Sequence, residues 1–322
     1  MNDRDLLAAL AAGPTSGEAL AARLGISRSA VHKRIESLRE LGIGIDAQAG
    51  RGYELRAPCE LFDAHAIRAR MTEPGRALLA TLDVAWIVDS SNSVLLRREG
   101  VGDGAEALLV EGQSGGRGRR GREWRSPLAS NLYLSLARRY AGGLARLGGL
   151  SLAAGVAVAE ALHSLGVGVQ LKWPNDLVVE GRKLGGLLVE GGGEHAGPAR
   201  AVVGLGLNVR MPPDAAQGID QPWTDLATIA PATAASRNAL AATVLSWLLP
   251  ALEQFDREGL APFRERYAGF DALRDREVAV SGAGVGLQGV ALGLAEDGGL
   301  RIRLPDGEAR TVHAGEVSVR AA

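Results

Sequence analysis

The sequence predicts an α+β fold in three segments, each with its own pattern of apolar residues. Residues 1–60 combine short amphipathic helices with one hairpin, residues 61–268 alternate strand-like apolar runs with helices, and residues 269–322 contain short strands between turns. At roughly 150 residues per domain, a chain of 322 residues is long enough for two or three domains. We therefore expect each segment to form a separate domain.

The N-terminal segment has the pattern of a helix-turn-helix. Helical periodicity stops at Gly13 and Pro14, resumes from Glu18 to Leu24 and is followed by a turn at Gly25. Ser27 is a candidate N-cap of a second helix. The predicted apolar stripe of that helix consists of Val31, Ile35, Leu38 and Leu41.

A predicted hairpin and an exposed polar helix face favour DNA binding by this segment. Alternating residues on both sides of Gly50–Gly52 predict a wing, and a helix placed in this way enters a major groove. The candidate DNA-binding residues are Arg28, Ser29, His32, Lys33 and Arg51. Residues 1–56 carry 8 basic and 7 acidic side chains, a net charge of +1, so useful affinity needs a dimer. The alternative is a helical domain whose charges form only a solvated face.

The other two segments predict sheets. The strand-like runs of the central segment are Ala85–Val88, Leu108–Val110, Leu132–Leu136, Gln170–Lys172, Leu177–Val179, Gly186–Val189 and Ala201–Leu205. Buried helices are expected at Gly148–Leu165 and Asn238–Phe255, which gives a layered sheet-and-helix domain. Turns at Ser281-Gly282, Asp297–Gly299 and Asp306-Gly307 predict a small C-terminal β-barrel or sheet.

The composition is typical of a globular protein of the cytoplasm. The net charge is -1, and 46% of the residues are hydrophobic. The uncharged stretch Val278–Ala295 is interrupted by glycines, so we expect no membrane span. The first residues are acidic, unlike a signal peptide. The single cysteine, Cys59, excludes an internal disulfide framework and a multi-cysteine metal site.

A loop rich in glycine and arginine, Gly115–Arg122, is the most informative motif. Backbone N–H groups of such a loop can converge on an anion, and arginine binds phosphate or carboxylate bidentately. We therefore expect a polyphosphate or an acyl phosphate as the ligand, around which the loop becomes ordered. The alternative is a segment that binds nucleic acid non-specifically, which is disfavoured because the arginines end abruptly before a strand.

Lysine is rare in this chain, and two of the three lysines belong to one region. The motif Lys172–Asp176 is followed by Lys183 after a short predicted strand. Arginine does not replace lysine at phosphate or nucleophile sites, so the retained lysines indicate function, with codon bias as the alternative. Pro174 fixes the turn that presents Asn175 and Asp176. The ammonium groups of Lys172 and Lys183 and the carboxylate of Asp176 suit phosphoryl chemistry with Mg²⁺. The alternative is that the motif is an ordinary turn with charged surface residues.

A third motif, Gly204-Leu205-Gly206-Leu207-Asn208, ends a predicted strand, and its glycines allow a planar group such as a purine to approach closely.

Together with Ser90-Ser91-Asn92, these three motifs, in this order along the chain, resemble the biotin protein ligase family. The winged helix makes the chain similar to bifunctional bacterial members that also repress the biotin operon. The resemblance implies a class II synthetase-like catalytic domain with a mixed β-sheet and a C-terminal SH3-like β-barrel.

The resemblance also implies a two-step reaction. Biotin and ATP give biotinyl-5′-adenylate in the presence of Mg²⁺, and a lysine of the biotin carboxyl carrier protein of acetyl-CoA carboxylase then accepts the biotin. Operator DNA is the implied second partner, bound by a homodimer that forms when the adenylate is bound. A ligand-sensing regulator without turnover is one alternative. A lipoate or octanoate ligase is another, disfavoured by the Gly/Arg loop and the winged helix.

Residue roles follow from the same resemblance. Biotin is expected to contact Ser90, Ser91, Asn92, Gln113, Arg117, Gly118, Arg119 and Lys183. ATP and the adenylate are expected to contact Arg117, Arg119, Arg120, Arg122, Trp124, Lys172, Asn175, Asn208 and Trp223. The expected catalytic residues are Lys183, Arg119, Lys172 and Asp176. Lys183 would bridge the biotin carboxylate and the α-phosphate, and Mg²⁺ would be held mainly by phosphates near Asp176.

Overall fold

The structure is a computed structural model that describes residues 3–48, 50–98, 102, 104–141, 143, 147–193, 199–282, 285–314 and 318–321. Its helices are α1 (Asp3–Ala11), α2 (Gly17–Leu24), α3 (Arg28–Glu40), α4 (Ala64–Arg70), α5 (Glu73–Ala77), α6 (Ser91–Arg97), α7 (Leu150–Ser164), α8 (Pro213–Ala216), α9 (Leu226–Ile229), α10 (Pro231–Ala234), α11 (Arg237–Glu258) and α12 (Ala261–Ala268). Its strands are β1 (Ile45–Gln48), β2 (Gly52–Leu55), β3 (Leu79–Val88), β4 (Ala105–Gln113), β5 (Leu132–Tyr140), β6 (Gln170–Lys172), β7 (Asp176–Val179), β8 (Arg182–Gly193), β9 (Ala199–Leu207), β10 (Glu277–Gly282), β11 (Val285–Leu294), β12 (Leu300–Arg303), β13 (Ala309–Val312) and β14 (Ser318–Ala321).

Helices α1 to α3 and the β1–β2 hairpin form the predicted winged helix-turn-helix. The Ser27 side chain caps α3 by accepting a hydrogen bond from the backbone N–H of Ala30 at 3.2 Å, and Gly25 adopts the left-handed conformation of the turn. The predicted stripe is buried at Val31, Ile35 and Leu38. The expectation for Leu41 is wrong: this residue follows the last turn of α3 and is 38% exposed.

A seven-stranded mixed sheet forms the centre of the molecule, in the order β3-β4-β5-β9-β8-β7-β6. Only the β3–β4 pair is parallel among the pairings of the described strands. The α7 helix is apolar on nearly all sides, and it packs with α11 in the large core on one face of this sheet. The α6 helix packs on the other face, against β4, β5 and β9. The α+β prediction is confirmed.

Strands β10 to β14 form a five-stranded antiparallel sheet in the order β13-β12-β11-β10-β14. Two predicted turns are present, because Asp297 and Asp306 accept hydrogen bonds from the backbone two residues later, at 3.0 and 2.9 Å. Ser281 and Gly282 end β10, and the two residues that follow lie outside the described part of the chain. The buried indole of Trp173 donates to the carbonyl of Gly298 at 3.0 Å, which ties this sheet to the central domain.

A buried ion pair anchors the segment that joins the winged helix to the central sheet. Arg237 on α11 donates to Glu111 Oε2 at 2.8 Å, and Glu111 Oε1 accepts from the backbone N–H of Phe62 at 2.6 Å. The Arg237 guanidinium also lies 3.9 Å from the centre of the Phe62 ring. Leu128 and Ala129, which precede β5, belong to the hydrophobic core of the winged helix. Among the described residues, no helix has the length and apolarity that crossing a bilayer requires.

Candidate active site

A cleft of about 800 Å³ lies on the α6 side of the central sheet. Every residue that the sequence predicted for biotin, ATP or catalysis lines this cleft. These residues are Ser90, Ser91, Asn92, Gln113, Arg117, Gly118, Arg119, Arg120, Arg122, Trp124, Lys172, Asn175, Asp176, Lys183, Asn208 and Trp223. The fold therefore brings together motifs that are separated by more than a hundred residues in the chain.

The buried turn Ser90-Ser91-Asn92 forms one end of the cleft at the start of α6. Gln113 at the end of β4 accepts hydrogen bonds from the backbone N–H and the hydroxyl of Ser91, at 2.8 and 3.1 Å. The Gln113 amide in turn donates to Ser126 Oγ at 2.9 Å, which fixes the direction of its oxygen and nitrogen. This end of the cleft offers hydroxyl and amide groups held in place, which suits a small neutral ligand with N–H and C=O groups.

The Gly/Arg loop closes on itself as a short hairpin along the edge of the cleft. The backbone N–H of Gly118 donates to the carbonyl of Arg122 at 2.7 Å, and Arg120 adopts a positive φ of 60°. Arg119 reaches across the cleft to Asn175 Oδ1 at 3.3 Å and also donates to the carbonyl of Ala314. Burial lowers the pKa of Arg119 from its usual value, although the guanidinium stays charged at neutral pH. Arg120 and Arg122 are exposed.

The Lys172–Asp176 turn and the start of β8 place charged groups at the middle of the cleft. The Asn175 side chain donates to the carbonyl of Leu187 at 2.7 Å, and the Leu187 N–H donates to the Asn175 carbonyl at 2.9 Å. Asp176 pairs with Gly186 in the sheet, and its carboxylate Oδ1 lies 2.7 Å from Lys183 Nζ. This geometry places an ammonium group where a phosphate or carboxylate of a ligand can meet it.

Asn208 marks the other end of the cleft. Its amide nitrogen donates to the carbonyl of Thr224 at 3.0 Å. The buried atoms Asn208 Oδ1, Thr224 Oγ1 and Trp124 Nε1 have no hydrogen-bond partner among the residues that the structure describes. Trp223 pairs with Lys183, since Lys183 N donates to Pro222 O and Thr224 N donates to Lys183 O, both at 2.9 Å. Buried polar atoms are normally hydrogen-bonded, so this end suits a polar ligand with its own donors and acceptors.

Gly204 and Gly206, which were expected to let a planar group approach the strand, both line the cleft. A Cβ atom at Gly204 would collide with the Asn92 side chain, and one at Gly206 would collide with the indole of Trp124. Side chains of the protein itself therefore use the space that these glycines leave. Glycine is needed here so that Asn92 and Trp124 can lie flat against β9.

The sequence did not predict several residues that line the cleft, among them Leu188, Met211 and Ile219. It also did not predict two residues that lie behind the lining and hold Asn92 in place. Ser135 on β5 is fully buried and lies 2.6 Å from Asn92 Oδ1, and Glu190 on β8 accepts from Asn92 Nδ2 at 2.8 Å. The sequence did contain a signal for Ser135, because this small polar residue interrupts a run of leucines and a tyrosine, Leu132–Leu136. Glu190 ends an apolar run and gave no comparable signal.

The described residues contain no group of three His, Cys, Asp or Glu side chains that could hold a metal ion. One oxygen of Asp176 is engaged by Lys183 at 2.7 Å. The chain therefore offers no cage of its own for Mg²⁺ in its described part.

The candidate DNA-binding residues of the winged helix are all exposed. Arg28, Ser29, His32 and Lys33 are exposed on the first turns of α3, and Arg51 is exposed at the tip of the hairpin. The structure therefore leaves the predicted recognition face accessible to a DNA groove.

Comparisons with known proteins agree with this arrangement. The Biotin/lipoate A/B protein ligase family matches residues 91–208, an HTH domain matches residues 3–54, and the Biotin protein ligase C terminal domain matches residues 275–320. The bifunctional ligase/repressor BirA of Salmonella typhimurium is 39% identical over 95% of this chain and 93% of that protein. The protein of the same name from Escherichia coli is 38% identical over 98% of this chain and 97% of that protein.

Similarity to solved structures extends over most of the chain. The biotin protein ligase from Aquifex aeolicus, in complex with biotin and ATP, superposes with a TM-score of 0.64 at 28% identity, over 76% of this chain and 100% of that chain. With relatives this similar over nearly the full length, the chain belongs to the family of the bifunctional ligase/repressor BirA.

Proposed function

We propose that this protein is an ATP-dependent biotin protein ligase that makes biotinyl-5′-adenylate and transfers biotin to a lysine of a biotin carboxyl carrier protein. One observation carries the proposal: a single cleft holds a hydroxyl- and amide-lined end at Ser91, an ammonium group at Lys183 and unpaired polar atoms at Asn208. These three places match the ureido ring, the reacting carboxylate with its phosphate, and the nucleotide, in this order.

In the first step, a biotin carboxylate oxygen attacks the α-phosphorus of ATP and pyrophosphate leaves. Negative charge builds up on the phosphate oxygens beside the carboxylate, and Lys183 and Arg119 supply the positive charge that stabilises it. Lys172 is assigned to the triphosphate. Because the described residues form no metal cage, Mg²⁺ would enter with the phosphates of ATP, and the chain's own part is to neutralise and orient them.

In the second step, the amine of the acceptor lysine attacks the acyl carbon, and the bond to the AMP oxygen breaks. Asn175 and Asp176 line the cleft and are half-buried, so they can orient the incoming amine by hydrogen bonds. The Gly/Arg loop would cover the mixed anhydride and exclude water until the acceptor arrives.

The winged helix supports a second role, repression of biotin genes. The recognition face is exposed, but residues 1–56 together have a net charge of only +1, which favours a dimer on two half-sites. We propose that adenylate binding favours this dimer. A ligase that also binds operator DNA would act in the cytoplasm.

Mass spectrometry of a carrier domain incubated with the protein, ATP, Mg²⁺ and biotin tests the ligase. The expected result is a biotin adduct on one lysine with the wild type and little or none with Lys183→Ala. Lipoate in excess should not compete, whereas effective competition would indicate a lipoate ligase. A protein that binds biotin but modifies no carrier domain would instead be a ligand-sensing regulator.

A further inference from the structure

The α6 helix lies against one face of β9, and its two ends meet two residues of that strand. At its start, the Asn92 amide packs against Gly204, where a Cβ atom would collide with it. At its end, Arg200 Nη1 donates to the carbonyl of Arg98 at 2.8 Å and to that of Leu96 at 3.4 Å. Gly204 and Arg200 are four residues apart in β9, so they lie on the same face of the strand. One strand face therefore contacts both ends of the helix.

The centre of the helix packs on the same strand face. Val202, midway between Gly204 and Arg200, belongs to the buried cluster that also contains Leu95 of α6 and Ala137 of β5. Such apolar contacts are non-directional, so they hold the helix against the sheet without fixing its position along the strand. Hydrogen bonds have a preferred direction, so the bonds at the two ends of α6 fix this position.

Arg200 is suited to hold the C-terminal end of α6. The last carbonyls of a helix have no partner within the helix and carry partial negative charge, so a cation stabilises them. The Arg200 side chain is 19% exposed, and its Nη2 lies 3.8 Å from Glu106 Oε2 on β4. Arg98, whose carbonyl is the acceptor, pairs with Asp83 on β3 at 2.8 Å. The end of the helix is therefore connected to β3, β4 and β9.

We propose that Arg200 is a positioning residue for biotin binding, which acts through α6 on the turn Ser90-Ser91-Asn92. The inference rests on the proposed function, since it assumes that this turn takes the ureido ring of biotin. At this end of the helix the Ser91 hydroxyl contacts Gln113 Oε1 and Ser135 Oγ, at 3.1 and 2.8 Å. Because a short helix moves as a unit, a shift at its C-terminal end also displaces these groups, and small displacements in a binding site weaken it strongly.

Steady-state kinetics of the full-length protein, with biotin and ATP varied separately, test the proposal. In Arg200→Gln the KM for biotin should rise roughly threefold to tenfold, because part of the energy of a charged hydrogen bond is lost from the pocket. The KM for ATP and kcat should stay at the wild-type values, since Lys183 and Asn208 are far from α6 in the cleft. Arg200→Lys keeps a cation at the end of the helix and should have a smaller effect than Arg200→Gln.

The matched control is Arg139→Gln on β5. Arg139 is the partner of Arg200 in the pairing of β5 with β9, so both changes remove one arginine from neighbouring positions of the same sheet. Arg139 is exposed, and within the described part of the chain its side chain donates to no carbonyl of α6. Its KM for biotin should match that of the wild type.

Hydrogen exchange separates positioning from a general loss of stability. In Arg200→Gln the amides of α6 should exchange faster than in the wild type, whereas those of α7, on the other face of the sheet, should exchange at the wild-type rate. An unchanged KM for biotin would overturn the inference. Equal rises in the KM values for biotin and ATP, or equally faster exchange in α6 and α7, would do the same. If the wild type itself does not bind biotin, the proposed function is wrong instead.

Discussion

The ammonium of Lys183 lies 2.7 Å from the carboxylate of Asp176, and both groups face the cleft. Lys183 also lies 5.5 Å from the centre of the Trp124 ring. The ion pair and the ring hold the positive charge at the middle of the cleft, between the Ser91 end and the Asn208 end. A group that is oriented before substrate arrives stabilises developing charge without further rearrangement.

Lys183→Ala should lower the rate of biotin-dependent pyrophosphate release by at least about a hundredfold, the usual cost of removing one group that stabilises transition-state charge. Biotin binding should change much less, because the Ser91 end of the cleft is untouched. Stopped-flow measurement of pyrophosphate release, with a separate binding titration, checks both parts. Lys33→Ala on the winged helix is the matched lysine control and should release pyrophosphate at the wild-type rate. A Lys183→Ala protein with near-normal turnover would contradict the assignment.

The sequence was a good guide to the strands and to the residues of the cleft. Apolar runs predicted at least part of each strand of the central sheet. The motifs contain many of the side chains that line the cleft, because loops and strand ends carry polar residues that differ from the apolar runs around them. The grouping of Lys183 with the carboxylate of Asp176 was also expected from the sequence. The structure brings it about through the adjacent antiparallel strands β7 and β8.

Contacts between distant residues account for what the sequence did not reveal. Arg237 and Glu111 are 126 positions apart, and neither lies in a motif. The glycines of β9 were correctly noted as unusual, but a glycine shows only that something comes close. At Gly204 and Gly206 that neighbour is a side chain of the protein itself, which only packing reveals.

Arg28→Ala and Lys33→Ala should each weaken binding to operator DNA and lower the salt dependence of the affinity by about one released counterion. Both side chains are exposed on the first turns of α3, where a recognition helix meets the groove. Fluorescence anisotropy at several salt concentrations, in the presence of biotin and ATP, measures both effects. Ligase activity should stay at the wild-type level. An unchanged salt slope in both variants would remove α3 from the DNA interface.

Arg237→Ala should lower the free energy of unfolding by about 3–5 kcal/mol, because it leaves the fully buried Glu111 carboxylate without its counter-charge. The variant also loses the guanidinium contact with the Phe62 ring that anchors the linker to the winged helix. Urea unfolding followed by circular dichroism gives the value. Arg257→Ala on the same helix removes an exposed pair with Glu258 and should leave the unfolding midpoint unchanged. Equal small effects in the two variants would mean that the buried pair does not stabilise the junction.

Burial raises the pKa of the Cys59 thiol from 9.0 to about 11, so this thiol should react slowly in the native protein. At pH 8 a rise of about two pKa units cuts the thiolate fraction to about one-hundredth, and a disulfide reagent should label native protein at least that much more slowly than unfolded protein.

The same pKa shift makes stability depend on pH. The Cys59 thiol keeps its proton up to about pH 11 in the folded protein, whereas it loses the proton near pH 9.0 in the unfolded chain. Between these values the unfolded state binds fewer protons, so stability should fall as pH rises. Cys59→Ala should flatten this fall, and an identical pH profile in wild type and variant would show that other groups cause it.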